Sequence, residues 1–151
     1  MNVLKLAMWI PALSVAVGLA FMGLACGRKG DPVPRPRALP GACAVRMVSL
    51  RRLAVTLPAR DVTGAKLDGI ERVRVYYLPM GASQPAAEEV AAKGEVVLER
   101  SRPDLPGPGE TFELSLDGSR RASGWMVVVA VRVGEVVGLA GEVQPWLDPE
   151  L

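Results

Sequence analysis

Cys26 and Cys43 are the strongest nucleophiles in this chain of 151 residues, which contains no histidine. A thiol attacks as its thiolate and normally relies on a neighbouring base. Without imidazole, Ser-His-Asp and Cys-His triads are excluded, together with histidine metal ligands and the usual general acid or base at neutral pH. Two cysteines cannot complete a structural zinc site. The carboxylates do not fill the gap. Glu88-Glu89, Asp104 and Glu110 show no spacing that sets two of them roughly 5–10 Å apart in a cleft, as glycoside hydrolysis needs. Gly107-Pro108-Gly109-Glu110 reads as a turn, because it lacks the Lys-Ser/Thr of a phosphate loop. The 18 Lys and Arg face 16 Asp and Glu, a net +2, which is too even a balance to indicate nucleic-acid binding. Arg51-Arg52 and Arg120-Arg121 have no interleaved aromatics to stack bases. The residues therefore predict a non-enzymatic protein with no metal, no dissociable cofactor, no nucleic acid and no small-molecule substrate.

What remains is chemistry done to the protein, and its expected target is Cys26. The stretch Leu6 to Ala25 (LAMWIPALSVAVGLAFMGLA) carries no charge and follows Lys5 and the amino terminus. A positive start before an apolar run is the pattern of a membrane-targeting segment. A buried core helix fits poorly, since such a run has no polar face to show to water. An uncleaved membrane span is the rival, because about 20 apolar residues cross a bilayer and proline is tolerated there. The run ends on Gly23-Leu24-Ala25-Cys26-Gly27, which resembles the lipobox of bacterial lipoprotein signal peptides. That resemblance implies a signal peptide over residues 1–25, cleavage after Ala25 and covalent lipid on Cys26. Several acyl chains, at about 0.8 kcal/mol per buried CH₂, would hold the protein on a membrane. Cys43 would then have no disulfide partner. It is expected to be a small buried residue at the start of a strand, with a reactive or intermolecular thiol as the alternative.

Residues 26–42 are expected to be a linker. Cys26 to Pro40 (CGRKGDPVPRPRALP) holds four prolines and two early glycines, which suit neither a helix nor a sheet interior. Such a chain extends at roughly 3.1 Å per residue, so it reaches up to about 45 Å. Its cations Arg28, Lys29, Arg35 and Arg37 face only Asp31. They either attract anionic headgroups or simply solvate the spacer. Cys26, Gly27, Lys29 and Gly30 are also similar to the opening Cys-Gly-x-Lys-Gly-Pro of the small lipoproteins that assist maturation of the outer-membrane lipopolysaccharide translocon, with Asp31 intervening before Pro32. That likeness implies an assembly helper working through this segment. Gly27 after the cysteine lacks the aspartate that, in enteric bacteria, keeps lipoproteins in the inner membrane, and that analogy implies outer-membrane sorting, facing the periplasm.

From residue 43 to 151 the pattern predicts an all-β domain. Leu53-Ala54-Val55-Thr56-Leu57 and Val73-Arg74-Val75-Tyr76-Tyr77 alternate and stop at Pro58 and Pro79. Val96 to Leu98, Phe112 to Leu116, Trp125 to Val133 and Val136 to Val143 complete a set of short strands divided by turn residues. Pro85 to Lys93 is the one predicted helix, with Ser83 as its cap and Gly94 as its stop. The whole resembles a fibronectin type III domain over roughly Ala44 to Pro145, through Leu53-x-Val55-x-Leu57-Pro58, Gly69-Ile70-x-x-Val73-x-Val75-x-Tyr77, Leu116 and Trp125-x-Val127-x-Val129-x-Val131. That family implies an immunoglobulin-like sandwich, with sheets about 10 Å apart. The expected core is Leu53, Val55, Leu57, Val73, Val75, Tyr77, Leu114, Leu116, Trp125, Val127, Val129 and Val131.

In such a sandwich the strands at 73–77 and 125–131 are sheet neighbours. Their outward residues are then expected to be Arg72, Arg74 and Tyr76 beside Met126, Val128, Ala130 and Arg132. Aromatic, Met and Arg side chains are favoured at interfaces. This row is the candidate face for a protein partner in the cell envelope, unless the segment from Pro85 to Lys93 covers it or the central strand is apolar on both sides.

Overall fold

A computed structural model describes residues 37–116 and 122–147. Cys26, residues 1–25 and most of the linker lie outside the described residues. Eight strands and one short helix follow in order: β1 (Ala44–Ser49), β2 (Arg52–Thr56), β3 (Arg72–Pro79), α1 (Ala87–Lys93), β4 (Glu95–Ser101), β5 (Thr111–Ser115), β6 (Gly124–Arg132), β7 (Val136–Ala140) and β8 (Gln144–Trp146). All pair antiparallel. One sheet runs β1-β2-β5 and the other β4-β3-β6-β7, with β8 also on β6. This is the immunoglobulin-like, fibronectin type III-like sandwich expected from the pattern, its closing strand broken into β7 and β8.

The alternation in β2 and β3 explains the inner faces. Leu53, Val55, Val73, Val75 and Tyr77 are buried, and they meet Leu57, Leu114 and Leu116 in one apolar cluster. Trp146 closes one end edge-on to Tyr77, with ring centroids 5.6 Å apart and planes at 71°. The Tyr77 hydroxyl escapes the core by donating to Ala122 O at 2.9 Å. Cys43 is buried within the same cluster just ahead of β1. Burial pushes its thiol up to about 12, so it stays protonated and inert at neutral pH.

β6 corrects the expected phase. Val73 pairs with Ala130, Val75 with Val128 and Tyr77 with Met126, and these three β6 side chains enter the core. Val127 and Val129 lie on the opposite face, in a second cluster with Val90 of α1 and the partly buried Trp125. Period 2 cannot choose a phase where every residue from Trp125 to Val131 is apolar. The charged side chains of β3 make the choice: Arg72 and Arg74 must face out, so the residues opposite them, Val131 and Val129, face out as well.

The cap position of α1 is Ala86, which offers no side-chain hydrogen bond, in place of the expected Ser83. Its ends are supported by Glu88 and Glu89 in the first turn and Lys93 in the last, and Lys93 Nζ donates to Glu89 at 2.7 Å. The helix ends at Gly94, whose backbone is extended (φ −72°, ψ 159°) and where a Cβ would collide with Val90 O and lie 2.8 Å from Tyr77 O.

The domain also starts earlier than residue 43. Val62 N donates to Leu39 O, Leu139 N to Pro40 O and Gly41 N to Arg60 O, all within 2.9–3.1 Å. A proline cannot donate, but its carbonyl accepts, and Gly138 leaves room for Pro40 where a Cβ would come within 2.8 Å. Residues 37–42 therefore belong to the sandwich and not to the linker.

Candidate functional site

The outer face of the β3–β6 sheet has two halves. Over the first, α1 lays Ala87, Val90 and Ala91 on Val127, Val129, Tyr76, Leu78 and Trp125. Val90 is fully buried, which stabilises this lid by roughly 1.5–3 kcal/mol. Over the second half, four side chains of alternating charge close on one another. Arg74 Nε donates to Glu99 Oε2 at 2.6 Å and Arg74 Nη2 to Glu135 Oε2 at 3.0 Å. Arg72 Nη1 lies 2.7 Å from Glu135 Oε1 and 4.0 Å from Glu99. The hydrogen bond that Arg74 donates to Glu99 raises the Arg74 pKa, further supported by Tyr76 and Glu135 against a smaller cost of burial. Arg74 is a permanent cation. Glu135 reaches this network from the three-residue turn between β6 and β7, Val133 to Glu135, in which Gly134 has φ 85° and Glu135 φ 57°, two consecutive left-handed residues.

The six residues expected to form a docking face therefore divide three ways. Arg72, Arg74 and Tyr76 face outward as expected, but they are engaged by carboxylates and by the helix. Met126 and Val128 are buried in the core and can touch no partner. Arg132, at the end of β6, turns to another site.

That site is a cleft of about 240 Å³ lined by Arg37, Asp68, Gly69, Arg102, Arg132 and Val133. Arg132 Nη2 pairs with Asp68 Oδ1 at 2.5 Å and Nη1 donates to Ala38 O at 3.1 Å. Arg37 Nη1 donates to Val133 O at 2.8 Å. Arg102 Nε donates to Ile70 O at 2.9 Å, and its guanidinium occupies the space a Cβ on residue 69 would need. Nearby, Asp61 Oδ1 accepts from Thr63 Oγ1 at 2.6 Å, Thr63 N at 2.9 Å and Ala65 N at 3.0 Å. The Thr63 hydroxyl is the main reason its carboxyl lies below the usual range; burial opposes this, while the two amides and the Arg132 charge add to it. Sequence reasoning missed this cleft. Arg37 counts as linker there, and residues 68, 102 and 132 share no motif; only the sandwich brings them together.

The remaining carboxylates serve local structure. Glu110 Oε2 accepts from Gly107 N at 2.7 Å within its own turn, and Glu88 and Glu89 sit in the first turn of α1. A second cleft, about 280 Å³, lies beside α1 between the loop at Gly81 to Ala86 and Trp125, whose buried indole N–H has no hydrogen-bond partner among the described residues. Among the described residues, no group of three or more His, Cys, Asp or Glu is placed to hold a metal, and no helix is long and apolar enough to cross a membrane.

No family model matches the chain, and no curated protein does. Among solved structures it is similar to the sixth fibronectin type III domain of human fibronectin type III domain containing protein 3. The identity is 14% over 80% of this chain and 92% of that domain, with a TM-score of 0.37. It is also similar to the Endo-D glycoside hydrolase domain from Streptococcus pneumoniae R6, at 11% identity, covering 77% of this chain but only 16% of that one, with a TM-score of 0.33. At these scores neither likeness bears on activity. The sandwich stands on its own strand order.

Proposed function

We propose that the chain is a lipid-anchored, non-catalytic binding or scaffold module of a bacterial cell envelope. Cys26 carries the lipid, the anchoring membrane is the outer membrane, and the sandwich faces the periplasm and an envelope protein partner. The observation that carries this reading is the uncharged run from Leu6 to Ala25 behind Lys5, ending on Gly23-Leu24-Ala25-Cys26. The fold is consistent with it. With the domain starting at Arg37, the spacer from Cys26 to Pro36 would extend to roughly 35 Å, and the backbone bonds at residues 39–41 would transmit the tether firmly to the sheet. The mechanism is local concentration: an inert domain acts by being held near its partner.

The test is metabolic labelling with palmitate and mass spectrometry of the mature amino terminus. Lipid on a chain beginning at Cys26 is the expected result, with its loss in Cys26→Ser. An unlabelled chain that still begins at Met1, behaving like Cys26→Ser, would sink the proposal.

A second reading rests on the match of Cys26, Gly27, Lys29 and Gly30 to the translocon-maturation lipoproteins. Here the amino-terminal segment is the active part and the sandwich is accessory. A chain ending at Pro36 separates the two: retained activity favours the assembly helper.

A further inference from the structure

We propose that the cleft formed by Arg37, Arg102 and Arg132 is a binding site for a phosphate group. All three guanidinium groups are anchored by main-chain carbonyls: Val133 O, Ile70 O and Ala38 O. A neutral carbonyl fixes a guanidinium without cancelling its charge. Among the described residues, the one carboxylate lining the cleft is Asp68, whose side chain is 83% exposed and therefore strongly screened by water. Asp61 interacts with the Arg132 charge but stands outside the lining of the cleft, with its Oδ1 held by the Thr63 and Ala65 donors. Three positive charges against one lining carboxylate leave a surplus in a confined space.

The donors are also available. Each guanidinium has five N–H groups. Among the described residues, the bonds above use one of Arg37, one of Arg102 and two of Arg132. All three side chains line a cavity of about 240 Å³, the liquid volume of roughly eight water molecules. That is room for one phosphoryl group and its nearest substituent. Phosphate matches because its oxygens accept forked guanidinium bonds from several arginines at once, and its charge offsets the surplus. Gly69 is part of the design: a side chain there would displace the Arg102 guanidinium and break its bond to Ile70. The inference holds whether or not Cys26 carries lipid. A phospholipid headgroup and a soluble phosphate compound would present the same group.

The experiment is calorimetric titration of the full-length chain, in neutral detergent micelles, with inorganic phosphate. Saturable binding is expected. Arg102→Gln or Arg37→Gln should weaken it about tenfold, the effect of losing a charge-assisted hydrogen bond. Arg46→Gln, the same charge change at an exposed strand position, should leave it unaltered. Gly69→Ala should weaken it severalfold with no change in charge, and Asp68→Asn should tighten it, which a misfolded variant could not do. Repeating the titration in micelles carrying phosphatidylglycerol distinguishes the sources: abolition of the phosphate isotherm identifies a headgroup, and an unchanged isotherm a soluble phosphate. Absence of saturable binding, or equal weakening by Arg46→Gln and Arg102→Gln, overturns the proposal.

Discussion

Two arginine groups on the same domain use the same side chain in opposite ways. Arg72 and Arg74 on β3 are met by Glu99 from β4 and Glu135 from the β6–β7 turn, close to one carboxylate per guanidinium. Arg37, Arg102 and Arg132 are held by carbonyls and share a single lining carboxylate, Asp68. The first group is electrically closed and acts as part of the fold: with α1 it seals a sheet face that carries Val127, Val129 and Val131. The second is pinned in place and left charged. The number of arginines is a poor guide to binding. What matters is whether the carboxylates that meet a fixed set of guanidinium groups match them in number.

Removing the carboxylates should break this difference most sharply. The double change Glu99→Gln with Glu135→Gln strips Arg74, whose side chain is 18% exposed, of both its counter-ions. The expected loss is about 1–3 kcal/mol, below that of a fully buried pair because the glutamates are partly solvated. The matching double change in the cleft, Arg37→Gln with Arg102→Gln, should cost under about 1 kcal/mol, since lost carbonyl bonds are offset by relief of like-charge repulsion. Urea unfolding of both variants gives the comparison. Equal losses would mean that the two groups are alike, and that the cleft is structural.

A smaller effect isolates the turn that closes the first group. Glu135 holds φ 57°, a left-handed conformation that asparagine tolerates and β-branched residues resist. Glu135→Asn keeps the turn and removes the ion pairs, so about 0.5–1 kcal/mol should be lost. Glu135→Val removes the pairs and strains the backbone, adding about 1–2 kcal/mol. The gap between the two variants, read from their urea midpoints, measures the turn apart from the charges. If asparagine costs as much as valine, the ion pairs carry the whole effect.

The first group was half visible in the sequence and the second was not. Arg72 and Arg74 alternate with Val73 and Val75, so their outward direction follows from period 2 alone. Glu99 and Glu135 could not be assigned to them without the strand order, because residues 25 and 61 positions apart from Arg74 meet only through pairing. β6 defeated the pattern for the opposite reason: its apolar run from Trp125 to Val131 satisfies both phases, and its true phase is set by its neighbour β3 and by the helix that covers it. Strand existence needs only local alternation, whereas the face of a doubly covered strand is a tertiary property. The cleft lay beyond reach for a third reason. Arg37 sits in a proline-rich stretch that reads as spacer, and its place in the fold depends on Pro40 accepting a bond from β7.

The least effect expected is also the most direct measure of unspent charge. Asp61 feels Arg132 as the last of the influences holding its carboxyl low, so it works as a built-in electrometer at the margin of the cleft. A carboxyl lowered by folding contributes stability that is present above its unfolded pKa and is lost as pH falls through the folded value, here below about pH 4. In Arg132→Gln the Asp61 pKa should move slightly up, by less than the loss of the Thr63 hydroxyl in Thr63→Ala would move it, because the hydroxyl bonds the carboxylate directly at 2.6 Å and the arginine charge acts through solvent. Carboxyl-carbon NMR titration resolves both shifts. Phosphate bound in the cleft should move Asp61 in the same direction as Arg132→Gln does, since either change removes positive potential at the same carboxylate. An Asp61 that ignores Arg132→Gln would mean that the cleft's charge is already cancelled, and the contrast between the two arginine groups would fail with it.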